Sequence, residues 1–370
     1  MKVICDRAAL ADAVNVVGSV VAARSPSPVL LCVKLKAAGG QLMLSATDLE
    51  VAMRLGVDQV DVQAEGEALL PADKLAQIVR ASDDPTLTLE TDDHAVHIRG
   101  ADSHFKVFGY DPSEAPAIRE FEGMKVSAEI DGGILQTLIA RTLFAAAAEH
   151  SRYAINGVLF DRDGRKLQLV ATDGRRLAVA KGTCHTGDGK SRTIVPVKAL
   201  SLLGKLINDP ETPVRIALDE SQILFQVGQG PDSALLTSNL VEGAFPPFED
   251  VIPKDQDKRV TFEAGALSSA IRRAALLTNE ESKGVRLSFH EDKLTLTSRA
   301  PEMGEAEIQL DLRDYSGEPV DIGFNPGFIT DALKVVGTAD VIIELKAPNK
   351  PGVIKTGQDF TYVIMPVNLQ

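Results

Sequence analysis

The sequence predicts an α+β fold built from three tandem copies of one domain, each with two helices packed on antiparallel sheet. Three observations carry that expectation. The first is a repeated string: "GQLMLSATDLEVAM" from residue 40, "RKLQLVATDGRRLAVA" from 165 and "DKLTLTSRAPEMGEAEI" from 292 share a Leu-x-Leu strand, a turn and a second alternating strand. The second is that landmarks on either side keep step with it. Leu10, Leu135 and Leu267 anchor an upstream segment, and Pro71, Pro196 and Pro326 a downstream one, at offsets of 125 to 132 residues. The third is length, because 370 residues exceed one ordinary domain and a long internal period must be read before any motif.

Each element follows from its periodicity. Leu10, Val14, Val17 and Val21 stand at helical spacing, as do Leu135, Leu138, Ile139 and Leu143, which predicts helices over 8–24 and 132–149 and, by the repeat, over 264–277. The downstream landmark predicts three more, over 72–81, 197–207 and 326–337, each introduced by its proline. Runs such as "NGVLF", "KLQLV", "RLAVA", "TLTLE", "VHIRG" and "VIIEL" read as strands. The stretches 109–125 and 242–259, rich in Pro, Gly and charge, divide the chain into domains at 1–125, 126–253 and 254–370.

Composition narrows the function. With 39 basic and 52 acidic residues the net charge is -13, which argues against a coat for nucleic acid or anionic membrane. Cys5, Cys32 and Cys184 are scattered, odd in number and without a CxxC, so neither a disulfide framework nor a zinc site is expected, in keeping with a reducing cytoplasm. No run of about 18 apolar residues is present, and acids at Asp6 and Asp12 interrupt any signal-like core. Phosphate-loop, nucleophile-elbow and HExxH motifs are missing, and "GQG" at 228–230 lacks the third glycine of a dinucleotide loop, so no cofactor is expected.

Asp173 invites two readings. Followed by Gly174 between two strands, it is a hairpin turn; beside Arg175 and Arg176 it has the makings of a hydrolase site. The turn is favoured, because "ATD" recurs 125 residues earlier and a nucleophile is rarely needed twice. His94 and His97 fall on opposite faces of a strand, which disfavours a metal, and Glu280 and Glu281 read as solvated surface.

The six helical stretches carry nine bases (Arg24, Lys74, Arg80, Arg141, Lys198, Lys205, Arg272, Arg273 and Lys334) against four acids, a net charge of +5 in an acidic molecule. Three sheets side by side make an arc with two unpaired strand edges, and two arcs joined head to tail close into a ring of six domains with the helices inward. A weakly basic lumen suits a phosphate backbone held loosely. The rival is that these charges are merely solvated.

With the repeat in place, "ATDLE" at 46, "RYAINGVLF" at 152, "ATDGRRLA" at 171, "IVP" at 194, "NEESKGVRL" at 279 and "YVIMP" at 362 together resemble, end to end, the bacterial DNA sliding clamps, the beta subunits of DNA polymerase III. The resemblance implies clamp-type domains in a homodimeric ring around double-stranded DNA, without catalytic activity or sequence preference. It implies partners that bind through short motifs, namely the polymerase catalytic subunit, the clamp loader and other clamp-binding proteins. Their cleft carries over onto Ile155, Thr172, Gly174, Arg175, Arg176 and Leu177, joined by Pro246 and Val251. Its last wall is the terminal run Val363, Ile364, Met365, Pro366 and Val367, for which an ordinary core strand is the competing reading. The DNA-facing positions are Arg24, Arg80, Arg152, Tyr153, Lys198, Lys205 and Lys283. The dimer seam falls on Phe105 and Val107 against Leu276 and Leu277. Ala154, Glu249, Asp250, Asn368 and Gln370 depart from the pattern and bear on which partner motifs are preferred. A three-domain scaffold or adhesion module is the non-enzymatic alternative.

Overall fold

A computed structural model describes residues 1–22, 24–147, 155–230, 233–278, 284–290 and 292–368. Among the described residues six helices of ten to twelve residues recur two per copy: α1 (Arg7–Gly18), α2 (Ala72–Ala81), α3 (Gly132–Leu143), α4 (Val197–Leu206), α5 (Ala264–Ala274) and α6 (Pro326–Val336). The side chain of Asp6 caps α1 by accepting from the Ala9 N–H, and Asn325 caps α6 by accepting from the Gly327 N–H. Pro326 opens α6 at its first turn, whereas Pro71 and Pro196 close the preceding strands. Helix α1 stops at Gly18, six residues short of the expected end, so Arg24 stands on an exposed bend instead of a helix. No helix among the described residues is long and apolar enough to cross a membrane.

The chain forms two compact units. The first comprises residues 1–136, 184–188 and 198–240. It holds a five-stranded sheet in the order Val60–Ala64, Lys2–Asp6, Thr86–Asp92, Ala95–Arg99, His104–Phe108. Its nine-stranded sheet runs Thr186–Gly187, Val126–Asp131, Pro213–Leu218, Gln222–Val227, Ala234–Asn239, Val51–Gly56, Gln41–Thr47, Cys32–Ala38, Gly66–Pro71. The join between copies is the antiparallel pair Ala234–Asn239 with Val51–Gly56, where Leu235 faces Arg54 and Ser238 faces Val51.

The second unit comprises 137–183, 189–197 and 241–370. Its eight-stranded sheet runs Lys190–Pro196, Gly157–Asp163, Lys166–Thr172, Arg176–Thr183, Phe360–Ile364, Gly352–Thr356, Asp340–Leu345, Lys258–Glu263. A four-stranded sheet follows, Gly304–Asp311, Lys293–Ala300, Val285–His290, Val320–Phe324. Here Arg176–Thr183 pairs with Phe360–Ile364, again joining two copies in one antiparallel sheet.

The alternation needed to seat helices is explicit: Gln41–Thr47 buries Leu42, Leu44 and Ala46 and turns the intervening residues outward. Helix α1 packs with α2, and α5 with α6, over these buried faces. The outward face carries a second layer in the other unit, where Leu159, Val170, Val179 and Ile194 close over Phe248 from the connecting stretch.

Candidate functional site

The cleft residues meet in the second unit around the turn Asp173–Arg176. The last ladder pair before the turn is Thr172 with Leu177, leaving four residues in the loop instead of the two of an Asp-Gly hairpin. Thr172 Oγ1 donates to the Arg176 carbonyl at 2.7 Å and accepts from the Gly174 N–H at 3.1 Å. Gly174 takes φ +86°, the left-handed region that glycine enters without penalty. Asp173 Oδ1 accepts from the N–H groups of Arg175 and Arg176 at 2.9 and 3.1 Å. The acid that looked catalytic is an Asx-type loop brace.

Arg176 is the strut of the site. Its Nε donates to Asp173 Oδ2 at 3.0 Å, Nη1 to Asp331 Oδ2 at 2.8 Å and Nη2 to the Phe144 carbonyl at 2.7 Å. The guanidinium lies over the rings of Phe328 and Phe144, 4.4 and 5.5 Å from their centroids. Burial works against its charge, but Asp331, Tyr362 and Asp173 outweigh it and hold the group above its ordinary pKa. The buried Tyr362 hydroxyl donates to the Phe328 carbonyl, and its pKa is pushed up by desolvation. Every nitrogen of Arg176 is committed, so it frames the cleft and has no proton to trade.

Besides Arg176, the other twelve expected cleft residues separate by exposure and by the side they face. Ile155, Thr172, Leu177 and Val363 are buried, and Leu177 and Val363 share a cluster with Phe248 that forms the floor. Gly174, Arg175, Val251 and Met365 are exposed, Val251 at 47% and Met365 at 41%, while Pro246, Pro366 and Val367 are half-buried. Ile364 points the other way, into the interior beside Leu287, Phe324 and Ile329. Strand parity explains this, since neighbours in Phe360–Ile364 face opposite sides. Past the strand, the Met365 N–H donates to the Arg175 carbonyl and the Val367 N–H to the Gly323 carbonyl. These bonds carry the terminal run along a pocket of about 530 Å³ whose other wall includes Arg286, Asp321, Pro348 and Asn349. The sequence reading missed that wall, because its residues come from segments with no shared motif.

Of the DNA-facing candidates, Arg24, Arg80 and Lys205 are exposed, and Arg80 donates to Asn15 Oδ1. Lys198 is engaged with the Asp48 carboxylate and the Val20 carbonyl, so it is not a free cation. Arg141 lies over the Phe360 ring. Arg152, Tyr153 and Lys283, like Ala154 and Gln370, lie outside the described residues. At the seam positions, Phe105 and Leu276 are exposed, Leu276 at 77%, but Val107 turns inward at 9% exposure and Leu277 is half-buried. Phe108, 76% exposed on the same edge strand, is the apolar group the sequence reading passed over. His97 pairs with His104, at 2.7 Å between ring nitrogens, and not with His94. Among the described residues no cluster of three or more His, Cys, Asp or Glu is placed to hold a metal.

In this cleft the acid and the arginine brace each other above a floor of apolar side chains, with exposed Val251 and Met365 at its edge. Family models agree on the class along the whole chain. The N-terminal, central and C-terminal domains of the DNA polymerase III beta subunit match residues 1–119, 129–247 and 249–368. The chain is 34% identical over 368 residues to the beta sliding clamp of Pseudomonas putida, covering 98% of each, and 31% identical over 372 residues to that of Escherichia coli K12, covering all of each. Among solved structures it is similar to the sliding clamp of Pseudomonas aeruginosa bound to griselimycin, with TM-score 0.91 and 32% identity, and to that of Bacillus subtilis, with TM-score 0.92 and 26% identity, each covered in full. The chain belongs to the DNA polymerase III beta subunit family.

Proposed function

We propose that the protein is a DNA sliding clamp, a non-catalytic processivity subunit that encircles duplex DNA as a homodimeric ring. It tethers the replicative polymerase, the clamp loader and other partners through the cleft around Arg176. The observation that carries this reading is the end-to-end triplicate, matched domain by domain to one family. It acts on double-stranded DNA without reading sequence, and its place is the bacterial cytoplasm.

The seam we infer joins two strand edges. His104–Phe108 ends one sheet with Phe105 and Phe108 exposed and Lys106 beside them, and Gly304–Asp311 ends another with exposed Glu305 and Glu307. One edge is basic and apolar and the other acidic, so pairing one protomer's first with its partner's second satisfies both ladders and both charges. The exposed bases Arg24, Arg80 and Lys205 give a lumen few phosphate contacts, hence a grip that slides.

The test is primer extension with a cognate polymerase and loader. The chain lengthens the products, and Leu276→Ala with Leu277→Ala removes the effect because the ring no longer closes. Equal lengthening by that variant, sedimenting as a monomer, overturns the reading.

A further inference from the structure

The outward sheet faces of the first two copies keep the same register. Lys36 opposite Glu67 corresponds to Asp161 opposite Arg192, and Ser45 opposite Arg54 to Val170 opposite Val179, each 125 residues on. The connecting stretch after each copy lies over this face. In the second copy "FPPFED" (245–250) closes it: Phe248 is 3% exposed, Phe245 packs beside it, and Arg192 reaches both the Phe248 ring and Glu249. In the first copy the matching stretch is "APAIRE" (115–120), so Ala115 and Ile118 stand where Phe245 and Phe248 do. The space the two rings fill is left as a pocket of about 350 Å³, between Met43 and Ser45 on the sheet and Ala115, Pro116 and Ile118 above it.

The charge is changed as well. Lys34, Lys36 and Arg54 line this pocket where the second copy has Leu159, Asp161 and Val179. Glu67 binds both lysines, and Glu120 binds Arg54, so three cations share two carboxylates. Arg54 Nε is buried without a partner. The volume falls within the usual range of a ligand pocket, about 300–1,000 Å³.

We propose that this pocket is a second docking site, for a partner-protein segment that carries an aromatic residue followed by acidic ones. The internal repeat supplies the template: an aromatic side chain seated on this face with carboxylates beside it, as Phe248 sits with Glu249 and Asp250. The cations supply the complementarity, in which the ring fills the gap and the acids meet Lys36 and Arg54. A second copy of this chain is not the occupant, because its own Phe248 is buried.

The probe is a fluorescent synthetic peptide of sequence GAFPPFEDVI, residues 243–252, titrated onto the full-length protein by anisotropy. Saturable binding is expected, weakened roughly tenfold or more by Ala115→Phe with Ile118→Phe and by Lys36→Glu. The double variant also raises the melting temperature, since it rebuilds the closed arrangement of the second copy, and it leaves retention on DNA unchanged. Lys36 is exposed, so the single variant remains informative if the double one does not fold. Met365→Ala, in the other cleft, leaves peptide binding intact. No saturable binding at about 1 mM peptide, or binding abolished by Met365→Ala and indifferent to the pocket variants, overturns the proposal without touching the clamp reading.

Discussion

The loops Asp48–Val51 and Asp173–Arg176 are the same scaffold put to different uses. In the first, Thr47 Oγ1 donates to the Val51 carbonyl and accepts from the Leu49 N–H, both at 3.0 Å, while Asp48 Oδ1 accepts from the N–H groups of Glu50 and Val51. Thr172 and Asp173 make the matching four bonds in the second. The left-handed position is Gly174 in one loop and Leu49, at φ +78° and 61% exposed, in the other. The position that carries Arg176, tied to Asp331 and Phe144, carries the buried Val51 in the other. Threonine and aspartate fix the loop's shape, and the residues they hold decide whether it frames a cleft.

The largest break in this symmetry comes from the strut. Arg176→Ala leaves Asp173 without its cation and Asp331 with only Lys334 beside it, and costs about 3 kcal/mol of stability in denaturant titration, together with loss of partner-peptide binding. Val51→Ala, at the equivalent position, costs about 2 kcal/mol through lost burial and leaves that cleft working. Gly174→Leu forces a side chain into the left-handed region and costs about 1–2 kcal/mol, while Leu49→Gly relieves that conformation and is neutral or stabilising by up to about 1 kcal/mol. A loss for Gly174→Leu and none for Leu49→Gly is expected, and equal losses would break the equivalence. Thr47→Val and Thr172→Val each cost about 1–2 kcal/mol, and the expected result is that the two agree.

A third loop of the same kind gives the smallest effect. Asp219 accepts from the N–H groups of Ser221 and Gln222. The Ser221 N–H, with Gln222 and the Arg119 guanidinium, holds its carboxyl below the ordinary carboxylate range against the burial that raises it. A depressed folded value means the stabilisation is complete above the unfolded pKa, about 3.9, and is lost as pH falls through the folded one. The melting-temperature advantage of wild type over Asp219→Asn therefore holds at neutral pH and shrinks in acid.

These loops also mark what was legible in the sequence. The triplicate, the six helical stretches and individual strands follow from hydrophobic period and repeated landmarks, which are local, whereas the order of the strands in each sheet does not. The four-residue loop was not legible as such, because "TDG" suits a two-residue turn equally well and only Thr172 pairing with Leu177 decides it. Nor was the role of Arg176, whose partner Asp331 lies 155 residues away. Lys198 reads as a phosphate ligand, and its pairing with Asp48, 150 residues earlier in the chain, carries no local signal. That Val107 and Ile364 turn inward was not legible either, because strand parity alternates residue by residue and is not fixed by composition in "HFKVF" or "YVIMP".

Enclosure of DNA is the central claim, and end-dependent retention tests it most directly. Loaded onto nicked circular DNA and passed through a sizing column at high salt, the protein should stay with the circle and be lost once the circle is cut by a restriction enzyme. Equal retention on the circle and on the linear duplex with free ends, or none on either after loading, would contradict it.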